Sequence, residues 1–158
     1  MTKSIITPAE VIALAFSDGG YIPAEAIAEI DITMATERWV APVVGQALLE
    51  KVAEGEYAEL KSDYIAPAVA FYTRYLAQPR LNAATNQMGL TTPAGTSHKA
   101  AEKAAREELR RSLKARAQTA LKRLSEYLDA NTQLFAEYNP AKNILKRCSL
   151  DGGFVQVR

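Results

Sequence analysis

Apolar residues recur three and four positions apart through most of this chain, and Gly, Pro and Asp break the pattern into segments of helical length. The first segment opens on Thr7-Pro8-Ala9-Glu10, where Thr7 is placed to cap, Pro8 suits the first helical position and Glu10 completes a capping box. It predicts a helix to about Phe16, stopped by Asp18-Gly19-Gly20. Ile22-Pro23-Ala24-Glu25 opens a second helix, with Ile27, Ile30 and Met34 expected on its core face and an end near Trp39 or Val40, ahead of Pro42. Leu48, Leu49 and Val52 mark a short helix between Gly45 and Gly55. Pro67 argues against one straight helix from Tyr57 to Leu76, because it lacks a backbone donor and crowds the preceding turn. Two helices are expected there, one ending before Ser62 and one running from an Asp63 cap to Gln78, with Pro79 as the stop.

Residues 82–97 are turn-forming and uncharged, which predicts a long loop, and loops of that length are more often functional than mere connectors. Residues 98–131 then read as one long helix carrying Leu109, Leu113, Ala117, Ala120, Leu124 and Tyr127 or Leu128 on a single stripe. Such a helix would be roughly 50 Å long, against a diameter of about 40 Å for a globule of this size. Its first turns carry few large apolar residues and are expected to project. Residues 141–158 read as a small C-terminal hairpin turning at Asp151-Gly152-Gly153, with alternation in Phe154-Val155-Gln156-Val157. The expected fold class is mainly α. It is a single domain over 1–158, a small helical bundle with one long helix in the C-terminal half and a short peripheral C-terminal β-hairpin.

Composition leaves this picture unchanged. A hydrophobic fraction of 48% and a charged fraction of 23% are those of an ordinary globular domain, and 158 residues suffice to bury roughly 70% of the unfolded surface. The stretch from Tyr64 to Tyr72 is the longest apolar-leaning run and is too short for a membrane span. Met1-Thr2-Lys3 leads into the first helix opener without the apolar region of a signal peptide, so synthesis in the cytoplasm and no membrane contact are expected.

Charge does change the picture. Residues 1–81 hold six Lys/Arg and eleven Asp/Glu, whereas Lys99 to Arg123 hold nine Lys/Arg and three Glu, although the whole chain is only +1. Lys103, Arg106, Arg110 and Lys114 share one helix face, with Arg111 and Lys122 elsewhere. Segregation of this kind suits a molecule whose basic helix meets an acidic partner, including a second copy of itself. It also suits a small helical regulator that binds nucleic acid through residues 98–123, the alternative reading, although Glu102, Glu107 and Glu108 dilute the positive field. A plain solvated face with Glu–Arg pairs is the third reading, and it leaves the acidic excess of residues 1–81 without a role.

Candidate chemistry is sparse. His98 is the single histidine and has no ligand companions at metal-binding spacing, and the single Cys148 has no evident base beside it. The glycines form neither a phosphate-binding loop nor a dinucleotide fingerprint. Trp39, Tyr57, Tyr64, Tyr72 and Tyr75 occupy apolar helix positions and are expected in the core. No catalytic residue, metal or cofactor is expected.

The order of features nevertheless has a counterpart. Ile6-Thr7-Pro8-Ala9-Glu10-Val11 is followed by a helix ending in Arg-Trp-x-x-Pro-x-x-Gly-x-x-Leu (Arg38 to Leu48). Tyr64-Ile65-Ala66-Pro67, Tyr75-Leu76-Ala77-Gln78-Pro79 and the loop Thr85-Asn86-Gln87-Met88-Gly89-Leu90 come next. The long helix closes with Tyr127-Leu128, and Leu134-Phe135-x-Glu-Tyr138 follows. In this order, from about Ile6 to Tyr138, the chain resembles the head–tail connector (adaptor, or neck) proteins of tailed bacteriophages and prophages, especially those of Bacteroides-type bacteria. The resemblance implies a small helical bundle with peripheral strands and no catalytic residues. It further implies a structural virion protein of the neck, a homo-oligomeric ring beneath the portal protein that binds the next neck or tail protein and lets DNA pass without sequence specificity. Candidate partner-binding residues are then Lys103, Arg106, Arg110, Arg111 and Lys114 on the basic helix, Met88 and Leu90 in the polar loop, and Phe154, Val155 and Val157 on the C-terminal strand edge.

Overall fold

The structure, a computed structural model, describes residues 4–17, 21–86, 89–91 and 103–146. Its described part is mainly helical, as expected. The first helix, α1 (Pro8–Ala15), has the capping box read from sequence: the Glu10 amide donates to Thr7 Oγ1 at 3.3 Å and the Thr7 amide donates to Glu10 Oε2 at 2.6 Å. That backbone bond, chiefly, holds the Glu10 carboxyl below the usual carboxylate range.

One stretch expected to end near Val40 and one expected to be two helices prove to be continuous rods with a wide turn inside. The first runs through α2 (Glu29–Ala35), a π-turn (Thr36–Val40) and α3 (Ala41–Val44). After α4 (Gln46–Glu54), the second runs through α5 (Ala58–Leu60), a π-turn (Lys61–Ile65) and α6 (Ala66–Asn82). In each, a hydrogen bond spans five residues, from the Ala41 amide to the Thr36 carbonyl and from the Ala66 amide to the Lys61 carbonyl. Each π-turn is followed at once by Ala-Pro, Ala41-Pro42 and Ala66-Pro67. A proline lacks the donor for the normal one-turn bond, and widening the turn before it carries the chain past without a break.

Other departures from the sequence expectation accompany this device. Asp63 is not a cap, since it lies inside the second π-turn, and Pro79 does not stop α6, which continues to Asn82. Arg80 ties that last turn down, donating to Asp31 Oδ2 at 2.7 Å and to the Ala26 carbonyl at 3.1 Å. The second predicted helix starts late, because Ala24–Ala26 form only a 3-10 turn. Its core face is Ile32, Ala35 and Val40, and the last two are five positions apart because the π-turn intervenes. Ile27 is buried, but Ile30 and Met34 are 61% and 46% exposed and do not belong to the core.

The helix α6 is the axis of the fold, packed against α1, α2 and α7 (Lys103–Ala130). Small residues on it (Ala66, Ala68, Ala70, Ala77) let the neighbours approach, and Val69 and Tyr72 fill the space between them. Arg74 is buried with them. Its guanidinium lies 4.3 Å from the Phe16 ring centroid and donates to the Ala15 carbonyl, at the C-terminal and partly negative end of α1. Along α7 the buried stripe is Leu113, Ala117, Leu121, Leu124 and Leu128, close to the expected one. From Lys103 to Ser112 only Arg106 and Leu109 are half-buried, so this end is thinly packed by the described residues.

Beyond α7, 3-10 turns at Thr132–Leu134, Pro140–Lys142 and Ile144–Lys146 fold back onto the bundle, with Phe135 and Tyr138 buried. Among the described residues the expected C-terminal hairpin is not found: Ile144–Lys146, expected in its first strand, form a 3-10 turn, and 147–158, with Phe154, Val155 and Val157, lie outside the described residues. Strand pairing occurs instead inside the expected 82–97 loop, where β1 (Ala84–Asn86) and β2 (Gly89–Thr91) run antiparallel. The remainder of that loop and the start of the long helix, 92–102, lie outside the described residues, as does Met88.

The opposed environments of two neighbouring isoleucines give a direct check. Ile32→Ala should cost about 2–5 kcal/mol in denaturant unfolding, whereas Ile30→Ala should stay within about 0.5 kcal/mol of wild type. Equal losses would restore Ile30 to the core.

Candidate subunit interface

The π-turn of the first rod sets Trp39 outward from α2 against α6, where it stacks on Tyr72 at 4.4 Å and 9° and meets Tyr75 edge-on at 6.2 Å. Two cations lie on this aromatic cluster. Arg38 is 4.9 Å from the Trp39 ring, and Arg110, from α7, is 5.0 Å from the Tyr75 ring. Together they line a groove of about 970 Å³ between α2–α3, α6 and α7, continued by Lys114 and closed at its far end by Ile144 and Leu145. Two further lysines at that end are spoken for, Lys122 by Glu126 at 3.7 Å and Lys146 by Asp129. Arg38, Arg110 and Lys114 have no ion-pair partner among the described residues, so this end of the groove is positive and apolar together.

The far wall depends on a buried polar knot. Asn143, 1% exposed, donates to Ser125 Oγ at 2.7 Å and to the Tyr138 hydroxyl at 2.9 Å, and its Oδ1 accepts from the Leu145 amide at 2.9 Å. Tyr138 in turn donates to Asp129 Oδ1 at 2.8 Å. Each of these buried polar atoms is thus satisfied, which holds the 3-10 turns against α7. Burial, with the Asp129 bond added, pushes the Tyr138 hydroxyl up to about 12.

On the opposite side of the same α2–α3 rod the sign of charge changes. Thr33, Thr36 and Glu37 face Gln46, Glu50 and Glu54 of α4 across a cleft of about 420 Å³. Glu54 is 3.5 Å from Lys51, an exposed pair, while Glu37 and Glu50 have no cation partner among the described residues. One helix therefore separates a cationic aromatic groove from an acidic cleft. Among the described residues no group of three or more His, Cys, Asp or Glu is arranged to hold a metal ion, and no helix is long and apolar enough to cross a membrane.

A family model described as "Family of unknown function (DUF6712)" matches residues 40–147, more than half of the chain. This protein belongs to the DUF6712 family. The DUF6712 match begins inside the first π-turn and includes both Ala-Pro steps, the acidic helix α4, and the groove residues from α6 and α7. Neither the curated proteins nor the solved structures contain a match to the chain.

Of the residues singled out from sequence, the structure brings Arg110 and Lys114 together in the groove. Lys103 is 3.8 Å from Glu107 and Arg111 is 3.5 Å from Glu108, both on the exposed surface of α7. Arg106 is half-buried and lies outside the groove, and Leu90 belongs to β2. Sequence reasoning missed Arg38 and set aside the aromatics as core. Tyr72 is core, but Trp39 and Tyr75 are half-buried and line the groove. Tyr64, half-buried, stacks on Tyr127 at 3.9 Å, with the Arg123 guanidinium 4.8 Å from its ring centroid. Tyr57, read as a helix position, instead precedes α5 in the left-handed conformation (φ 55), with its hydroxyl donating to Glu137 at 3.1 Å.

The polar knot yields a pH-dependent outcome. Because the folded state keeps Tyr138 protonated above its ordinary pKa of 10.0, its stabilising share is complete below about pH 10 and is lost between pH 10 and 12. Tyr138→Phe should cost about 1–2 kcal/mol at pH 7 and flatten the fall in stability over that alkaline window. Thermal unfolding at a series of pH values checks both.

Proposed function

We propose that this protein is a head–tail connector of a tailed bacteriophage or prophage, a structural component that assembles as a ring on the portal protein, receives the next neck or tail protein, and surrounds the DNA channel. The observation that carries this reading is the opposition of charge across one helix, with a cationic groove on one side and an acidic cleft on the other. Rings require heterologous contacts, so the two flanks of a subunit must differ and must complement each other. The ordered series of residues from Ile6 to Tyr138 that resembles such connectors gives independent support. A C-terminal strand edge stays within this reading on the alternation of Phe154-Val155-Gln156-Val157 alone, offered to a neighbour.

The other reading, a regulator binding nucleic acid through the basic helix, has less support. Lys103, Arg111 and Lys122 sit beside Glu107, Glu108 and Glu126, which weakens the field a phosphate backbone would meet.

The test is to mix the protein with the portal protein of the same phage or prophage and image the product by negative stain. Rings seated on the portal are expected. They should thin out as salt is raised from about 0.05 to 0.5 M, because screening shortens the reach of the charges severalfold. Absence of any portal association, together with steeply salt-dependent binding to duplex DNA, would put the regulator in its place.

A further inference from the structure

We propose that the cationic aromatic groove receives the acidic face of a second copy of this chain, namely the outer stripe of α2 and the adjoining acids of α4. This rests on the connector reading and names the contact that would close its ring. The groove offers three cations free of ion pairs among the described residues, Arg38, Arg110 and Lys114, around a half-buried indole. What would fit it is a surface that is both apolar and acidic. The same molecule carries one. Ile30 and Met34 stand exposed on α2 at seven and three positions before Glu37, so all three fall on one stripe, and Glu50 and Glu54 lie across the cleft from Glu37.

Both partners in this contact are helical and rigid, and the match is of two kinds. Apolar side chains meet an aromatic floor, and carboxylates meet cations. A helix laid into a groove uses anchors at these spacings. Since the acidic cleft and the groove lie on opposite sides of one rod, the groove of each copy remains open when its acids are occupied. The contact therefore propagates head to tail and does not close as a two-fold pair.

Trp39, the single tryptophan, lies in the groove and reports its occupancy. Wild-type protein titrated to about 1 mM, the weak end of specific association, should self-associate in sedimentation velocity with a concentration-dependent change in Trp39 emission. The double variant Arg110→Glu/Lys114→Glu has acid on both flanks, and Glu50→Lys/Glu54→Lys has base on both. Each alone should associate at least about tenfold more weakly than wild type. Mixed in equal amounts they should associate again, because every groove then finds a complementary stripe on the other variant. All four residues are exposed, and an unchanged circular dichroism spectrum shows that the variants fold. The proposal is overturned if either variant alone associates as wild type does, or if the mixture stays monomeric.

Two rival occupants have their own signatures. A chain shortened after Lys146 whose monomer already differs in Trp39 emission, and which no longer responds to concentration, would give the groove to residues 147–158 of the same chain. Duplex DNA that shifts Trp39 emission while the protein remains monomeric would give it to a phosphate backbone. Rings that form on the portal with Trp39 emission unchanged would remove this contact and leave the connector reading standing. Loss of portal binding in a wild type that still self-associates through the groove would do the reverse.

Discussion

Ala66, Ala68, Ala70 and Ala77 keep α6 narrow enough for α1, α2 and α7 to close around it, and the polar groups buried on that helix must then find their partners inside the protein. The other constraints follow from this one. Arg74, enclosed at the centre, spends its charge on the Phe16 ring and on the carbonyl end of α1, which fixes where the first helix stops. Thr73 turns its hydroxyl back to the Val69 carbonyl at 2.7 Å, and Gln78 passes its amide on to Asn82 at 2.9 Å. A core helix so enclosed holds its neighbours at defined separations. The groove beside Tyr72 and Tyr75 is the space left where α7 and the α2–α3 rod diverge from it.

Much of the helical plan was legible because it rests on local chemistry. The Thr7–Glu10 box, the Gly45 and Gly55 boundaries and the Leu113 to Leu128 stripe all act over one or two turns, and residue type alone reveals them. What escaped is whatever depends on a broken period. Ala35 to Val40 and Leu60 to Ile65 are apolar steps of five, which a search for threes and fours passes over. Ile30 and Met34 were expected in the core for a different reason: Ile27 was counted on their helix, although it lies ahead of α2, whose buried apolar face is Ile32 and Ala35. A step of five between apolar residues with Ala-Pro directly after it is the signal that would have found both π-turns.

The candidate interface was legible only by half. Charge counting along the chain located the basic helix, and two of the five cations picked from it, Arg110 and Lys114, reach the groove. Counting could not reveal that Lys103 and Arg111 are matched by glutamates one turn away, nor that Arg38 joins the groove from another element. The aromatics were harder still, since Trp39, Tyr72 and Tyr75 follow the same periodic logic whether they fill a core or line its edge. Their division between the two depends on how far α7 stands from α6, a tertiary quantity with no local trace. Membership of DUF6712 sets the boundaries of the shared domain and leaves its role to be argued from this geometry.

The two π-turns also bear on how such a chain can vary. Each adds about one residue to a turn, so everything downstream is rotated by roughly 100° relative to an unbroken helix. Val43 and Val44 face the core only because that rotation has occurred, and so do Val69 and Tyr72 after the second turn. Removing one residue between Thr36 and Val40 would restore an even helical count but swing the following segment off the core, and Pro42 would then collide with the tightened turn. The extra residue and the proline therefore form a single heritable unit. Either change alone is damaging, and only their joint loss, with a compensating shift of every apolar position beyond, would be tolerated.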